Sequence, residues 1–227
     1  MIQDLISAQS NPTIATYAKT GEVHLRVTAK AEDEKEARKL VKPVVKELKG
    51  RFGNSIYTTD TEVTLEKSVV DLLEANHLTV ATAESCTGGL LSARLINVPG
   101  ASEVFKAGYV SYSNKTKRKL FGVKRSSLEK HGAVSSVVAK EMAKGASVLS
   151  KANVTVSVTG IAGPDGGSEE KPVGLVYIGC RVCGETTIKE YHFKGNRNKI
   201  REASVSAALS LMRECILQYC SNVMFSN

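Results

Sequence analysis

The chain has 227 residues, 42% of them hydrophobic, and a net charge of +8 from 31 Lys/Arg against 23 Asp/Glu. That length holds one large domain or two unequal ones, each with a buried core. No run approaches the ~18 apolar residues of a membrane span and no signal-peptide pattern opens the chain, so no membrane partner is expected and the cytoplasm is the expected compartment.

Residues 1–60 read as a strand, a helix and a second strand. Val23, Leu25, Val27 and Ala29 alternate with Glu22, His24, Arg26, Thr28 and Lys30 as a half-buried strand. The helix after it is acidic at its start (Glu32, Asp33, Glu34) and gathers Ala37, Leu40, Val41, Val44 and Leu48 on one face. A kink is expected at Pro43 and a C-cap at Gly50. Ile56–Thr58 reads as the second strand. Gly50-Arg51-Phe52-Gly53 has the letters of the G-x-x-G loop with which KH domains clamp a nucleic-acid backbone, but here it would join a helix to a strand rather than two helices.

Residues 61–227 alternate strands with helices. A helix from Thr61 to Asn76 carries Leu65, Val69, Leu72 and Leu73 on one face, and Leu78–Ala83 follows as a strand. A largely apolar helix runs through Leu90, Leu91, Ala93, Leu95 and Ile96. Next come a strand near Val104–Tyr112, a basic helix over Asn114–Phe121, a short helical piece ending at Gly132, and a helix over Ser136–Ser150. Val154, Val156 and Val158 alternate as a strand. Leu175–Val182 and Thr186–Phe193 form a hairpin turned at Gly184, and a long helix with Ile200, Ala207, Ala208, Leu211, Cys215 and Tyr219 on one side closes the chain. Such alternation predicts an α/β fold, a three-layer α/β/α domain with a mixed sheet. Ligands of these sheets sit beyond the carboxyl ends of the strands, and both glycine-rich turns of the chain follow strands.

The first of those turns is Ala83-Glu84-Ser85-Cys86-Thr87-Gly88-Gly89. It offers a hydroxyl, a thiol and backbone N–H groups beside a helix N-terminus, where roughly half a positive charge favours phosphate or a developing oxyanion. The second runs from Gly160 to Gly167 and fits neither a dinucleotide nor a P-loop fingerprint, although its amides can form an anion nest. The four histidines show no metal-ligand spacing, and no metal or cofactor is expected. Cys180 and Cys183 form a C-x-x-C inside a strand, where residues three apart point to opposite faces, so reduced thiols are the reading. With histidine scarce, a serine–lysine pair becomes the natural hydrolytic arrangement, and Tyr112-Ser113-Asn114-Lys115-Thr116-Lys117 supplies candidates. A lysine held neutral at pH 7 costs about 4.6 kcal/mol, which burial and the neighbouring Lys115, Arg118 and Lys119 would reduce. The positive charge is local. Residues 1–60 hold ten Lys/Arg against eight Asp/Glu, and most of the excess lies in clusters at Lys115–Arg125 and Lys194–Arg201. Spacing alone therefore leads to a small-molecule hydrolase with an anionic substrate.

Several blocks together resemble the CinA family and its C-terminal nicotinamide mononucleotide deamidase domain. They are A-E-S-C-T-G-G (83–89), Y-S-N-K-T-K (112–117), H-G-A-V-S (131–135), G-I-A-G-P-D-G-G-S-E-E-K-P-V-G (160–174) and F-K-G-N-R (193–197). They stand in family order across residues 62–220. The stretch N-P-T-I-A-T-Y-A-K-T-G-E-V-H-L-R (11–26) resembles the start of the KH-like middle domain of long CinA proteins. The resemblance implies a small α+β KH-like domain over 1–60 and the deamidase domain over 61–227. The pyrophosphatase domain of long CinA proteins has no room here, so that activity is not expected.

The resemblance implies hydrolysis of nicotinamide mononucleotide to nicotinate mononucleotide and ammonia, in pyridine-nucleotide recycling, without a cofactor. It makes Ser85 the nucleophile, Lys117 its general base, Tyr112 a proton-relay or orienting hydroxyl, and Arg197 a substrate-positioning group. Thr87, Gly88, Gly89, Asn114, Gly160, Ile161, Ala162 and Gly163 would contact substrate, with amides around 87–89 or 160–163 holding the oxyanion. Cys86 is the chemical rival to Ser85. Asn196 stands where the family often has an acid, which leaves the role of Arg197 open. A homodimer is expected and nucleic acid is not. The alternative is a KH-like nucleic-acid-binding module attached to an inactive or accessory amidase fold.

Overall fold

Gln3–Ala8 (α1) precedes an antiparallel hairpin of Thr13–Lys19 (β1) and Glu22–Thr28 (β2) in the computed structural model, which describes residues 1–224. Glu34–Phe52 (α2) follows, with the Asp33 side chain accepting the Glu36 N–H at its start and Lys49 and Arg51 in its last turn, charges that complement the helix dipole. These elements belong to the first of two compact units, Met1–Thr61.

Two expectations for this unit are corrected, and one strand went unpredicted. β1 carries little apolar alternation, only Ile14 being buried, so its pairing with β2 was invisible as periodicity. Ile56–Thr58 is not a strand. A short 3₁₀ turn at Gly53–Ser55 leads into it and, among the described residues, the sheet of this unit is β1 and β2 only, so the segment forms no ladder with either. The helix passes Gly50, with Gly53 at φ +50 donating its N–H to the Lys49 carbonyl as the actual cap. Gly50, Arg51 and Phe52 are therefore the last turn of a helix and not a loop.

The second unit begins at Glu62. Thr64 caps Leu65–Ala75 (α3), whose Leu65, Val69, Val70 and Leu73 are buried. Val80–Glu84 (β3) is buried throughout, and Leu90–Ile96 (α4), Phe105–Val110 (β4), Asn114–Phe121 (α5), Arg125–His131 (α6) and Ser136–Ser150 (α7) follow. Val154–Gly160 (β5), Leu175–Val182 (β6), Glu185–His192 (β7) and Arg197–Met224 (α8) complete the unit. The sheet runs β4-β3-β5-β6-β7, with β3 parallel to both neighbours and β6 and β7 antiparallel. α3, α4 and α8 pack together on one face, and α5, α6 and α7 on the other, which makes the three-layer α/β/α architecture with a mixed sheet.

Because both faces are covered, the polar residues of β5 do not face water. The hydroxyls of Thr155, Ser157 and Thr159 donate to the carbonyls of Ala143 (2.8 Å), Ala139 (2.7 Å) and Ala133 (2.9 Å), so each buried hydroxyl is satisfied. Close approach continues at α5, where a β-carbon on Gly145 of α7 would stand 2.1 Å from the Phe121 carbonyl oxygen. Gly145 thus lets α5 lie directly against α7, and α5 carries Lys117. Among the described residues no helix is long and apolar enough to cross a membrane.

Candidate active site

β3 is the middle strand of the parallel trio, so its carboxyl end is flanked by the loops after β4 and β5. Strand alternation directs Ala83 into the cluster of Phe121, Val123, Val138, Met142 and Ala146, and Thr82 and Glu84 toward α4. Glu84 is fully buried. One of its oxygens accepts the N–H groups of Gly89 (2.9 Å) and Leu91 (3.1 Å), and the other accepts the N–H (2.8 Å) and hydroxyl (2.6 Å) of Ser92. The start of α4, which would attract an external anion, already holds a carboxyl group of its own chain. Gly88 and Gly89, at φ +61 and +95, supply the left-handed backbone that closes the turn between them.

Ser85 sits at the apex, its N–H donating to the Val158 carbonyl at 2.9 Å. Lys117 Nζ lies 2.8 Å from Ser85 Oγ and donates to the Ser111 carbonyl at 2.7 Å. Lys117 reaches this point because Ser113 caps α5 by accepting the Thr116 N–H, and Lys117 and Phe121, one turn apart, share its buried face. The lysine is 1% exposed and the serine 8%. Burial draws the Lys117 ammonium down to about 8, with Cys86 acting weakly in the opposite direction. Lys115, Arg118 and Lys119 do not contribute as expected. They are exposed, and water screens their charge. The Cys86 thiol, also buried, is pushed up to about 11, chiefly by desolvation, which keeps it protonated at neutral pH.

The predicted oxyanion donors are narrowed. The Gly88 N–H donates to the Ser85 carbonyl (3.1 Å), the Gly89 N–H to Glu84, and the Ile161 N–H to the Leu175 carbonyl (2.9 Å). These three amides complete the fold and are not available to substrate. Among the described residues, the amides of Cys86, Thr87, Ala162 and Gly163 have no carbonyl or carboxylate acceptor. Thr87 also keeps a fully buried Oγ1 without a partner.

Tyr112, exposed at the end of β4, accepts a hydrogen bond from Arg197 Nη2 (2.8 Å), and Arg197 Nη1 donates to the Gly163 carbonyl (2.7 Å). The arginine thereby ties the loop after β4 to the loop after β5, with Gly160 ending β5 and the buried Ala162 between. Among the described residues Tyr112 makes no hydrogen bond to Ser85 or Lys117, and its hydroxyl is held by Arg197. Asn114 opens α5 on the surface. Asn196 Oδ1 accepts the Lys199 N–H at 3.0 Å, a cap that Asn provides as well as an acid, so the departure at this position leaves Arg197 in place.

Three participants escaped sequence reasoning. Glu84 read only as a residue of the turn, with no role of its own, and Ser111 acts through a carbonyl, which no side-chain pattern reveals. Arg201 Nε and Nη2 donate to the carbonyls of Cys86 (3.1 Å) and Thr87 (2.8 Å). Its spacing of four from Arg197 on a predicted helix was the available signal.

A family model described as CinA C-terminal domain matches residues 62–216, and one described as damage-inducible protein CinA KH domain matches residues 1–58. A CinA-like protein of Dictyoglomus thermophilum is 50% identical over 216 residues, 95% of this chain and 52% of that protein. A protein of Clostridium novyi named for competence-damage induction is 48% identical over 218 residues, 96% of this chain and 52% of its own. The chain thus spans about half the length of these relatives. Among solved structures, the competence/damage inducible protein CihA of Agrobacterium tumefaciens superposes with a TM-score of 0.64 at 43% identity, over 65% of this chain and 91% of that one. A CinA superfamily protein of Escherichia coli gives 0.63 at 32% identity, over 71% and 97%.

Proposed function

The chain belongs to the CinA family, and from that premise we propose that it is an amidase that hydrolyses nicotinamide mononucleotide to nicotinate mononucleotide and ammonia. The observation that carries this reading is the buried contact of 2.8 Å between Lys117 Nζ and Ser85 Oγ. A lysine drawn down to about 8 is neutral in a useful fraction of molecules near neutral pH, and the Ser111 carbonyl fixes one of its N–H bonds. Its lone pair then faces the Ser85 hydroxyl.

Ser85 Oγ attacks the carboxamide carbon as its proton passes to Lys117 Nζ, and the carbonyl oxygen becomes an oxyanion held by the amides of Cys86 and Thr87. The Lys117 ammonium returns the proton to the amide nitrogen, the C–N bond breaks, and ammonia leaves an acyl ester on Ser85. Water then attacks the ester while Lys117 takes its proton, and that proton goes back to Ser85 Oγ as the carboxylate product departs. Arg197, Tyr112 and the loop from Gly160 to Gly163, beyond the carboxyl ends of β4 and β5, would contact the mononucleotide. The nucleic-acid alternative loses its motif, since Gly50–Phe52 are helical and residues 1–60 carry little net charge.

The test is ammonia release from nicotinamide mononucleotide by the full chain, with Ser85→Ala as control. A folded wild-type protein that releases no ammonia refutes the reading. We assign the chemistry to the second unit, so a fragment beginning at Glu62 should keep the kcat/KM of the full chain. A folded but inactive fragment would mean that residues 1–61 help build the site.

A further inference from the structure

We propose that Arg201 is a positioning residue of the Ser85 turn, presenting the amides of Cys86 and Thr87 to the reacting carbonyl. This inference rests on the amidase reading and deepens it. Arg201 lies one helical turn after Arg197, beside the buried Ile200 that anchors the start of α8. Its two hydrogen bonds both go to the turn, at 3.1 Å to the Cys86 carbonyl and 2.8 Å to the Thr87 carbonyl, and among the described residues it makes no ion pair. A guanidinium commonly takes a carboxylate with this fork. Here it takes two successive peptide carbonyls and keeps its charge against them.

The consequence follows from peptide geometry. In a trans peptide the C=O and N–H bonds point in opposite directions. Holding the Cys86 carbonyl on Arg201 turns the Thr87 N–H away from the arginine. Holding the Thr87 carbonyl turns the Gly88 N–H away as well, and that N–H indeed meets the Ser85 carbonyl at 3.1 Å, which in turn sets the direction of the Cys86 N–H. Both amides without a carbonyl or carboxylate acceptor are therefore oriented by a chain of contacts that begins at Arg201. The positive charge on the carbonyl side also polarises the Cys86–Thr87 peptide, making its N–H a stronger donor to an oxyanion.

The experiment compares wild type, Arg201→Met and Arg201→Lys. It measures kcat and KM for nicotinamide mononucleotide, the rate at which a fluorophosphonate labels Ser85, and the melting temperature. A fluorophosphonate places its own P=O oxygen where the oxyanion forms, so labelling reads turn geometry independently of substrate. For Arg201→Met we expect kcat to fall about 10- to 100-fold, less than loss of a direct donor, with KM within about twofold. Labelling should slow by a similar factor, and Arg201→Lys should recover part of both. If Arg201→Met does not fold, Arg201→Lys carries the test, because one ammonium cannot hold both carbonyls and should still slow labelling at unchanged KM. Variants with kcat and labelling within threefold of wild type, or with KM raised and labelling unchanged, overturn the proposal. A wild-type enzyme that is labelled at Ser85 but releases no ammonia refutes the amidase reading alone, and the labelling comparison still decides the role of Arg201.

Discussion

Lys117 Nζ and Ser85 Oγ are 2.8 Å apart although 32 positions separate them, and the lysine meets the serine from a different helix layer than the one the serine turn enters. Ser85 leads into α4, which packs with α3 and α8, whereas Lys117 comes from α5, which packs on α7. The sheet edge between the layers brings them together at the end of β3. Burial of the pair excludes water from the proton that moves, and this contact sets the first expectations for variants.

Ser85→Ala should abolish ammonia release while leaving the melting temperature within a few degrees of wild type, because the hydroxyl supports no other part of the fold. Cys86→Ala should retain most turnover, since a thiol pushed up to about 11 is a poor nucleophile at neutral pH. Steady-state kinetics of both variants decide the point. An inactive Cys86→Ala beside an active Ser85→Ala would exchange the two roles.

The pH dependence follows from Lys117. In the proposed mechanism its neutral form is the base, so kcat/KM should rise with pH and level off above about 8. Lys117→Arg should lose at least about 1000-fold in kcat, because guanidinium does not release its proton in this range. A flat profile between pH 6 and 9 in the wild type would exclude a titrating lysine as the base.

The same shift makes a statement about stability. The folded value, about 8, lies below the ordinary 10.5, so the unfolded chain binds more protons between those limits. Stability contributed by this site is therefore lowest below pH 8 and grows as pH rises toward 10.5. Compared with Lys117→Met, the wild type should gain roughly 2 kcal/mol between pH 7 and 10, measured by denaturant unfolding at several pH values. A constant difference between the two proteins would contradict the burial argument.

Glu84→Gln keeps shape but turns one acceptor into a donor facing main-chain N–H groups. Loss of one of two buried acceptor oxygens, each with two partners, should cost roughly 3 kcal/mol, a drop of about 6–12 °C in melting temperature. Turnover should fall with it, because Gly89, Leu91 and Ser92 would no longer be held in register with Ser85. Unchanged melting would show that the carboxyl is dispensable to the turn.

Local signals in the sequence determined much of the second unit. Ser113, Gly122 and the spacing of Lys117 and Phe121 bound α5 at Asn114–Phe121, and Ser135 and the periodicity of Val138, Met142 and Ala146 fixed α7, because caps and helical faces are properties of a few neighbouring residues. The strand-to-helix turn at Ser85 was legible for the same reason. Tertiary structure decided the rest. β1 exists through pairing with β2 and not through its own pattern, while Ile56–Thr58 has strand-like residues and, among the described residues, joins no sheet. The glycines of the turn read as open donors, yet Glu84 and the Ser85 carbonyl had already taken their amides. Lys117 read as a base softened by burial and neighbouring cations together, whereas those cations face water and burial is what draws it down. Arg201 could be read only as a basic helix residue until the fold laid it against two carbonyls 114 and 115 positions away. Hydrogen-bond partners and desolvation depend on what the rest of the chain brings to a point in space, and no local pattern carries that information.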